Sequence, residues 1–383
     1  ADDLTGAAEI GGIAWQFGLS VRVLNEKTFL SDFIENVVII NTASRSCDSL
    51  QAQQIIRDLF LNHRLAKYDL IYKKIDSVLR GSVVAELMAF LEESGFERVL
   101  LIPANPSKER IIVRGRYMVA GIPLNKTYFR NDPLHPRLSA DVQDLLGGHT
   151  YVKTGAEINF NSDGKVFIPD IGSENDIKKY LQRISFLDFL MAGGSDFFKT
   201  ILSVNLKPQT NRNSNLKITA GKFASFVIGS KTDTSLNLVD MLKKLGFNFY
   251  PLPVEAIRND SIFEKWIHII GNQVRAGFNV VVTGPSSMVM NLDEISMITK
   301  KLAFAGRVII ENSKQSTHLC LEGGDTAFAF VQEMCWRSLV VLQVHDLGVV
   351  TLQPEGIDAM ITIKPGSYFW PSKLLELLKP DNF

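Results

Sequence analysis

An alternation of two patterns constrains the fold more than any other feature of the chain. Short runs such as VRVL (21–24), VVIIN (37–41), DLIYKKI (69–75) and RVLLIP (98–103) are largely apolar at consecutive positions. A strand with one wet face alternates apolar and polar residues, whereas a strand apolar on both faces is covered on both sides. Between these runs lie amphipathic stretches at 7–17, 48–62 and 82–94, where Ala7, Ile10, Ala14 and Phe17 recur at helical spacing. The alternation predicts an α/β fold with largely parallel sheets flanked by helices. It resumes late in the chain, with SFVIGS (225–230), NVVVTG (279–284), RVIIEN (307–312), LVVLQV (339–344) and AMITIK (359–364) as strands. Helical patterns at 234–245, 260–275, 291–304 and 326–335 separate them.

A chain of 383 residues exceeds one ordinary core. The polar stretch KPQTNRNSNLK (207–217) reads as a linker. We therefore expect one domain at 1–205, a linker at 206–221, a second domain at 222–383, and a ligand cleft between the two. Residues 104–165 hold many of the prolines and glycines and read as a loop-rich or β excursion.

Several function classes are disfavoured. Net charge is zero, which removes the electrostatic argument for a nucleic acid or an anionic membrane as partner. The three cysteines, Cys47, Cys320 and Cys335, are widely spaced and form no CxxC, so a reducing, cytoplasmic setting is expected. Six histidines show no HxH or HExxH spacing, which speaks against a His/Cys metal site. No apolar run approaches the roughly 18 residues of a membrane span. Nothing reads as a signal peptide, and the opening ADDLTGAAE, without methionine, reads as a trimmed start.

Chemistry gathers at the ends of the early strands. In KKIDSVLRGS (73–82), strand periodicity puts Lys74 and Asp76 on one face, and Arg80 follows four residues after Asp76. Charged side chains at a strand's carboxyl end stand where open α/β sheets bind ligands. An ordinary Asp–Arg capping pair is the competing reading, weakened by the third charge on Lys74. Asp2 and Asp3 in ADDLTG (1–6) precede a helix. Adjacent acids can accept hydroxyls, hold a metal or act as a base, or simply cap the helix. NTASRS (41–46) adds Arg45, and PANPSKERIIVRGRY (103–117) adds Asn105, Arg114, Gly115 and Arg116. Arginines that grip a carboxylate, with aspartates that accept hydroxyl protons, suit a small polyhydroxylated anion.

Later in the chain, four runs end in glycine turns: VIGSKTDTS (227–235), VVTGPSS (281–287), LEGGDTAFAF (321–330) and IKPGSYFWP (363–371). Such turns let backbone N–H groups approach phosphate oxygens, and a following helix N-terminus favours anions. Four of them on one sheet edge predict a phosphate or nucleotide site. GxxxxGK[ST], GxGxxG after a strand, and the protein-kinase HRD and DFG motifs are absent.

Taken together, ADDLTGA at the start, KIDSVLRGS (74–82), PANP…GR (103–116), GGDTA (323–327) and KPGS (364–367) resemble, in order, the motifs of the four-carbon acid sugar kinases. The resemblance spans nearly the whole chain. It implies an ATP-dependent, Mg²⁺-assisted kinase acting on the terminal hydroxyl of threonate, erythronate or 3-oxo-tetronate. It also implies a substrate-binding first domain and a nucleotide-binding second domain. By motif, Asp2, Asp3, Lys74, Asp76, Ser77 and Arg80 line the sugar-acid side, joined by Arg45 and Arg116 as cations. Ser230, Gly323, Gly324, Asp325, Thr326 and Gly366 line the ATP side. Asp3 or Asp76 is expected to take the hydroxyl proton; the metal ligands stay unassigned, and a homodimer is expected. Departures from the family pattern stand at Val78, Ser82 and Phe369. A non-catalytic sugar-acid sensor is the alternative, and an oxidoreductase or aldolase is disfavoured by the missing dinucleotide fingerprint.

Overall fold

Two sheets carry the fold, and in each the parallel pairing expected from doubly apolar strands is observed. The computed structural model describes residues 1–25, 33–62, 68–132, 134–209, 224–230, 232–285, 291–313, 317–366 and 368–378.

The first sheet contains β3 (Tyr72–Lys74), β4 (Arg98–Ile102), β8 (Val152–Gly155), β9 (Val166–Pro169) and β10 (Phe189–Gly193), in the order β3-β10-β4-β9-β8 and parallel throughout. Its central strands are buried on both faces, as Val99 to Ile102 and Leu190 to Ala192 show. Helices α1 (Leu4–Gln16) and α2 (Ser49–Asn62) precede its first strand in sequence, α3 (Val83–Ser94), α4 (Val142–Leu145) and α5 (Glu174–Leu181) lie between its strands, and α6 (Ser195–Asn205) follows its last. The excursion after residue 104 forms a small antiparallel sheet of β5 (Arg110–Val113), β6 (Arg116–Val119) and β7 (Ile122–Pro123).

Among the described residues the second sheet has nine strands. Its parallel half contains β11 (Ala224–Ile228), β12 (Asn248–Pro251), β13 (Val280–Thr283), β14 (Thr317–Glu322) and β17 (Ala359–Lys364), in the order β12-β13-β11-β14-β17. The antiparallel half continues through β16 (Val349–Pro354) and β15 (Ser338–Asp346) to β1 (Val21–Asn25) and β2 (Val37–Asn41). Helices α7 (Asp233–Lys244), α8 (Asp260–Arg275), α9 (Leu292–Asn312), α10 (Gly324–Glu333) and α11 (Ser372–Leu377) complete this part.

Two expectations are corrected. RVIIEN (307–312) is the end of helix α9, not a strand. Leu302, Ala305 and Ile309 are buried at helical spacing, and a short apolar run alone does not distinguish a buried helix from a strand. The early runs at 21–25 and 37–41 hydrogen-bond into the second sheet instead of the first. The buried guanidinium of Arg22 on β1 anchors them there, donating to Ser338 Oγ at 2.7 Å, Glu355 Oε2 at 2.6 Å and Glu35 Oε1 at 2.6 Å. Accordingly, one compact unit holds Ala1–Ile13 and Asn41–Pro208, while the other holds Ala14–Asn25, Glu35–Ile40 and the residues from Gln209 onward. This division interleaves along the chain, unlike the contiguous 1–205 and 222–383. Most of the expected linker falls on 210–223, outside the described residues.

The three cysteines are free. Among the described residues no helix is long and apolar enough to cross a membrane.

A transverse hydrogen-bond chain links four strands of the second sheet. His318 Nε2 meets Thr362 Oγ1 at 2.6 Å, Thr362 meets Thr351 at 2.6 Å, and Thr351 meets His345 Nε2 at 2.7 Å. Burial, with the neighbouring His345, pushes the His318 imidazole down to about 3, and burial pushes His345 down to about 4. Both values lie below the unfolded pKa of about 6.5. Between these limits the unfolded chain binds more protons, so stability is intact above about pH 6.5 and falls as pH drops toward 4. Thermal melts at stepped pH should show this loss in the wild type and a shallower one in His345→Gln; equal slopes would rule out the assignment.

Candidate functional site

In the first unit the turn after β3 is pinned before it is charged. Val78 and Leu79 are buried in the core. The Asp76 carboxylate accepts the N–H groups of Val78 (3.2 Å) and Arg80 (3.0 Å). Leu79 adopts φ 63, a left-handed conformation that costs a non-glycine residue about 1 kcal/mol or more. The reward for this strain is a fixed direction for Asp76, Ser77 and Arg80.

Around the turn sits a dense network. Arg80 grips Asp76 with two bonds, Nε to Oδ2 at 3.0 Å and Nη2 to Oδ1 at 2.8 Å, and reaches Asp132 Oδ2 at 3.0 Å. Arg45 grips Asp2 in the same forked way, at 2.9 and 3.0 Å, and donates to Asp3 Oδ2 at 2.6 Å. Its Nη2 lies 3.8 Å from Asp76 Oδ1, which joins the two pairs. Asp3 also caps α1, accepting the Gly6 N–H at 2.8 Å, and takes the Thr5 hydroxyl at 2.5 Å. Asp3 thus caps α1 and joins the charged network at once. Burial opposes ionisation of Asp76, but Arg80 and Arg45 outweigh it and hold the carboxyl well below the usual range. Burial likewise opposes Asp2, and Arg45 holds it below the usual value. Both carboxylates therefore stay ionised at neutral pH.

Lys74 is buried as expected, yet it does not reach Asp76: its Nζ donates to Ile75 O at 2.8 Å and lies 3.6 Å from Glu9. Arg116 stands exposed on β6, bridging Asp141 through its backbone. Sequence reasoning missed Arg110, whose Nη1 donates to Ser77 Oγ at 2.6 Å. Its guanidinium lies 5.3 Å from the centre of the Phe129 ring, and that of Arg80 lies 5.7 Å from the same ring. The signal available was the left-handed turn at Glu109, which aims β5, but a non-glycine residue there hides it.

In the second unit the expected glycine turns converge. β13, β11, β14 and β17 are parallel, so the turns that follow them share the carboxyl edge of the sheet, where such folds bind ligands. A Cβ on Gly229 would stand 1.8 Å from Thr326 Oγ1, one on Gly366 2.5 Å from Ser230 Oγ, and one on Gly323 3.7 Å from the Ser230 nitrogen. Gly323 has φ 103 and precedes α10, which opens at Gly324; Asp325 is exposed in its first turn. Thr232 caps α7, so two helix N-termini end at these turns. The positive dipole ends of these helices suit an anion. The fourth turn lies partly outside the described residues.

The family of the sugar-binding N-terminal domain matches residues 1–198. The chain belongs to this family. Among relatives of this family member, a D-threonate kinase from Salmonella typhimurium is 29% identical over 147 residues, covering 38% of this chain and 35% of the relative. A D-erythronate kinase from Heliobacterium modesticaldum is 33% identical over 162 residues, covering 39% and 36%. The matched part is thus little more than a third of the length of these relatives. A crystal structure of a Haemophilus influenzae protein of the DUF1537 family superposes with a TM-score of 0.72 at 19% identity, covering 99% of this chain and 98% of that one, a likeness of fold.

Proposed function

We propose that the chain is an ATP-dependent kinase for the terminal hydroxyl of a four-carbon acid sugar of the threonate, erythronate or 3-oxo-tetronate class. The observation that carries this reading is the convergence of Gly229–Ser230, Gly323–Thr326 and Gly366 at one sheet edge, where a side chain on Gly229 or Gly366 would have no room. The kinase names of the relatives supply the acceptor class.

The chemistry of these residues fits a polyphosphate: bare backbone and helix N-termini bind its oxygens without a Walker lysine. Among the described residues no three acidic, histidine or cysteine side chains gather as a metal cage. Mg²⁺ needs none, since one or two carboxylates with substrate phosphates and water can complete its shell. Bound Mg-ATP supplies the phosphoryl group. In the first unit Asp76 and Asp2, kept ionised, accept hydroxyls of the acid sugar, while Asp3, the more exposed of the aspartates gripped by Arg45, stands ready to orient or take a hydroxyl proton. Arg110, placed on Ser77 and the Phe129 ring, is the residue we assign to the substrate carboxylate. Positioning and charge neutralisation are the main requirements of phosphoryl transfer.

The deciding experiment incubates the chain with Mg-ATP and a panel of four-carbon acids and measures ADP. Acid-dependent ADP release is the expected result. Tight acid binding without ADP would make the chain a sensor instead. Arg110→Met should raise KM for the acid about 10- to 100-fold, the loss of one charge-assisted contact, with KM for ATP unchanged. An unchanged acid KM would remove Arg110 from the site.

A further inference from the structure

One carboxylate ties the three glycine turns together. Glu322 is the last residue of β14, directly before Gly323, and is wholly buried. Its Oε1 accepts the Ser235 hydroxyl from the first turn of α7. Its Oε2 accepts Trp370 Nε1 at 2.6 Å, from beyond the third turn, and lies 3.2 Å from Lys364 Nζ. Lys364 ends β17 and is also wholly buried; it donates to Pro365 O at 2.9 Å and Tyr368 O at 2.5 Å. From the α7 side, the Thr232 and Thr234 hydroxyls both donate to Gly366 O at 2.9 Å. The segments after β11, β14 and β17 therefore share one polar network centred on Glu322.

We propose that Glu322 and Lys364 are positioning residues, a buried charged clamp that sets the spacing of the three glycine turns for the nucleotide phosphates without touching the nucleotide. A lysine at this sheet edge would ordinarily be taken for a phosphate ligand. Here its three donors are directed at Glu322, Pro365 O and Tyr368 O. Stability alone gives little reason for such a pair, because an apolar pair of similar volume holds a core as well or better. What an apolar pair lacks is the set of bonds to Ser235, Trp370 and the carbonyls of Pro365 and Tyr368.

This inference rests on the nucleotide reading of the second unit, and the test separates the two. Full-length wild type, Glu322→Gln, Ser235→Ala and the double variant Glu322→Gln/Lys364→Met are compared by thermal melting, Mg-ADP titration, and KM for ATP and for the acid. Glu322→Gln should lower Tm and weaken Mg-ADP binding. The double variant removes both buried charges, so Tm should recover, while Mg-ADP affinity stays about tenfold weaker, near 1.4 kcal/mol, and the acid KM does not move. Ser235→Ala keeps the ion pair and should weaken Mg-ADP binding with Tm nearly unchanged. Wild-type nucleotide affinity in Ser235→Ala and in the double variant would overturn the clamp. Failure of the wild-type chain to bind Mg-ADP or Mg-ATP would overturn the nucleotide reading, and the clamp with it.

Discussion

Asp76→Asn should lower acid-dependent ADP release by about 10³-fold or more while Mg-ADP binding survives. The substitution keeps the shape of the side chain and removes its charge. Arg80 then faces a neutral amide, and Arg45 loses the nearby oxygen at 3.8 Å. Arg80 keeps Asp132 at 3.0 Å, but its forked grip on residue 76 weakens, so the turn from Asp76 to Arg80 relaxes and Ser77 and Arg110 lose their alignment. The glycine turns belong to the other unit's sheet, which is why Mg-ADP affinity is the internal control. Turnover at the wild-type rate in this variant would refute the placement of the acceptor site. The pH response separates fold from chemistry. Because Asp76 is held well below the usual carboxylate range, its contribution to stability is complete above about pH 4 and is lost only as pH falls through its depressed folded value. A loss of activity near neutral pH must come from another group.

Gly229→Ala should reduce nucleotide affinity by about two orders of magnitude, the scale seen when a preorganised donor set is displaced. The added methyl would stand 1.8 Å from Thr326 Oγ1, so the turn after β11 and the start of α10 cannot keep their present separation. Overpacking of this kind costs about 1–3 kcal/mol of stability, and melting should register it. Gly271→Ala is the matched control. It lies inside α8, where the new Cβ meets nothing closer than 3.5 Å and a glycine-to-alanine change favours the helix by about 0.5–1 kcal/mol. If Gly229→Ala binds Mg-ADP as tightly as Gly271→Ala does, the glycine turns are packing features only.

Strand periodicity and glycine turns made both sheets legible, because a doubly buried strand and a phosphate-ready turn each leave a local mark. Residues whose roles come from distant partners left none. Arg22 looks like a surface charge until Ser338 and Glu355 are placed beside it. Glu322 reads as the polar end of an apolar run, and only the fold brings Ser235, Lys364 and Trp370 to it. The family motif found Asp76 and Arg80 correctly as neighbours because their contact is four residues long. Arg110 was passed over for Arg116 because both follow the same proline-rich segment, and only the fold shows that Arg110 touches Ser77.

The interleaved course of the chain also sets a timetable. β1 leaves the ribosome well before its antiparallel partner β15: Arg22 and Ser338, which bond to each other, are 316 residues apart. At about 5–20 residues per second, translation alone keeps them apart for tens of seconds. Through that interval the apolar side chains of Val21, Val23 and Leu24 cannot take their places beside β15. Synthesis of the first 205 residues alone would leave that strand permanently orphaned.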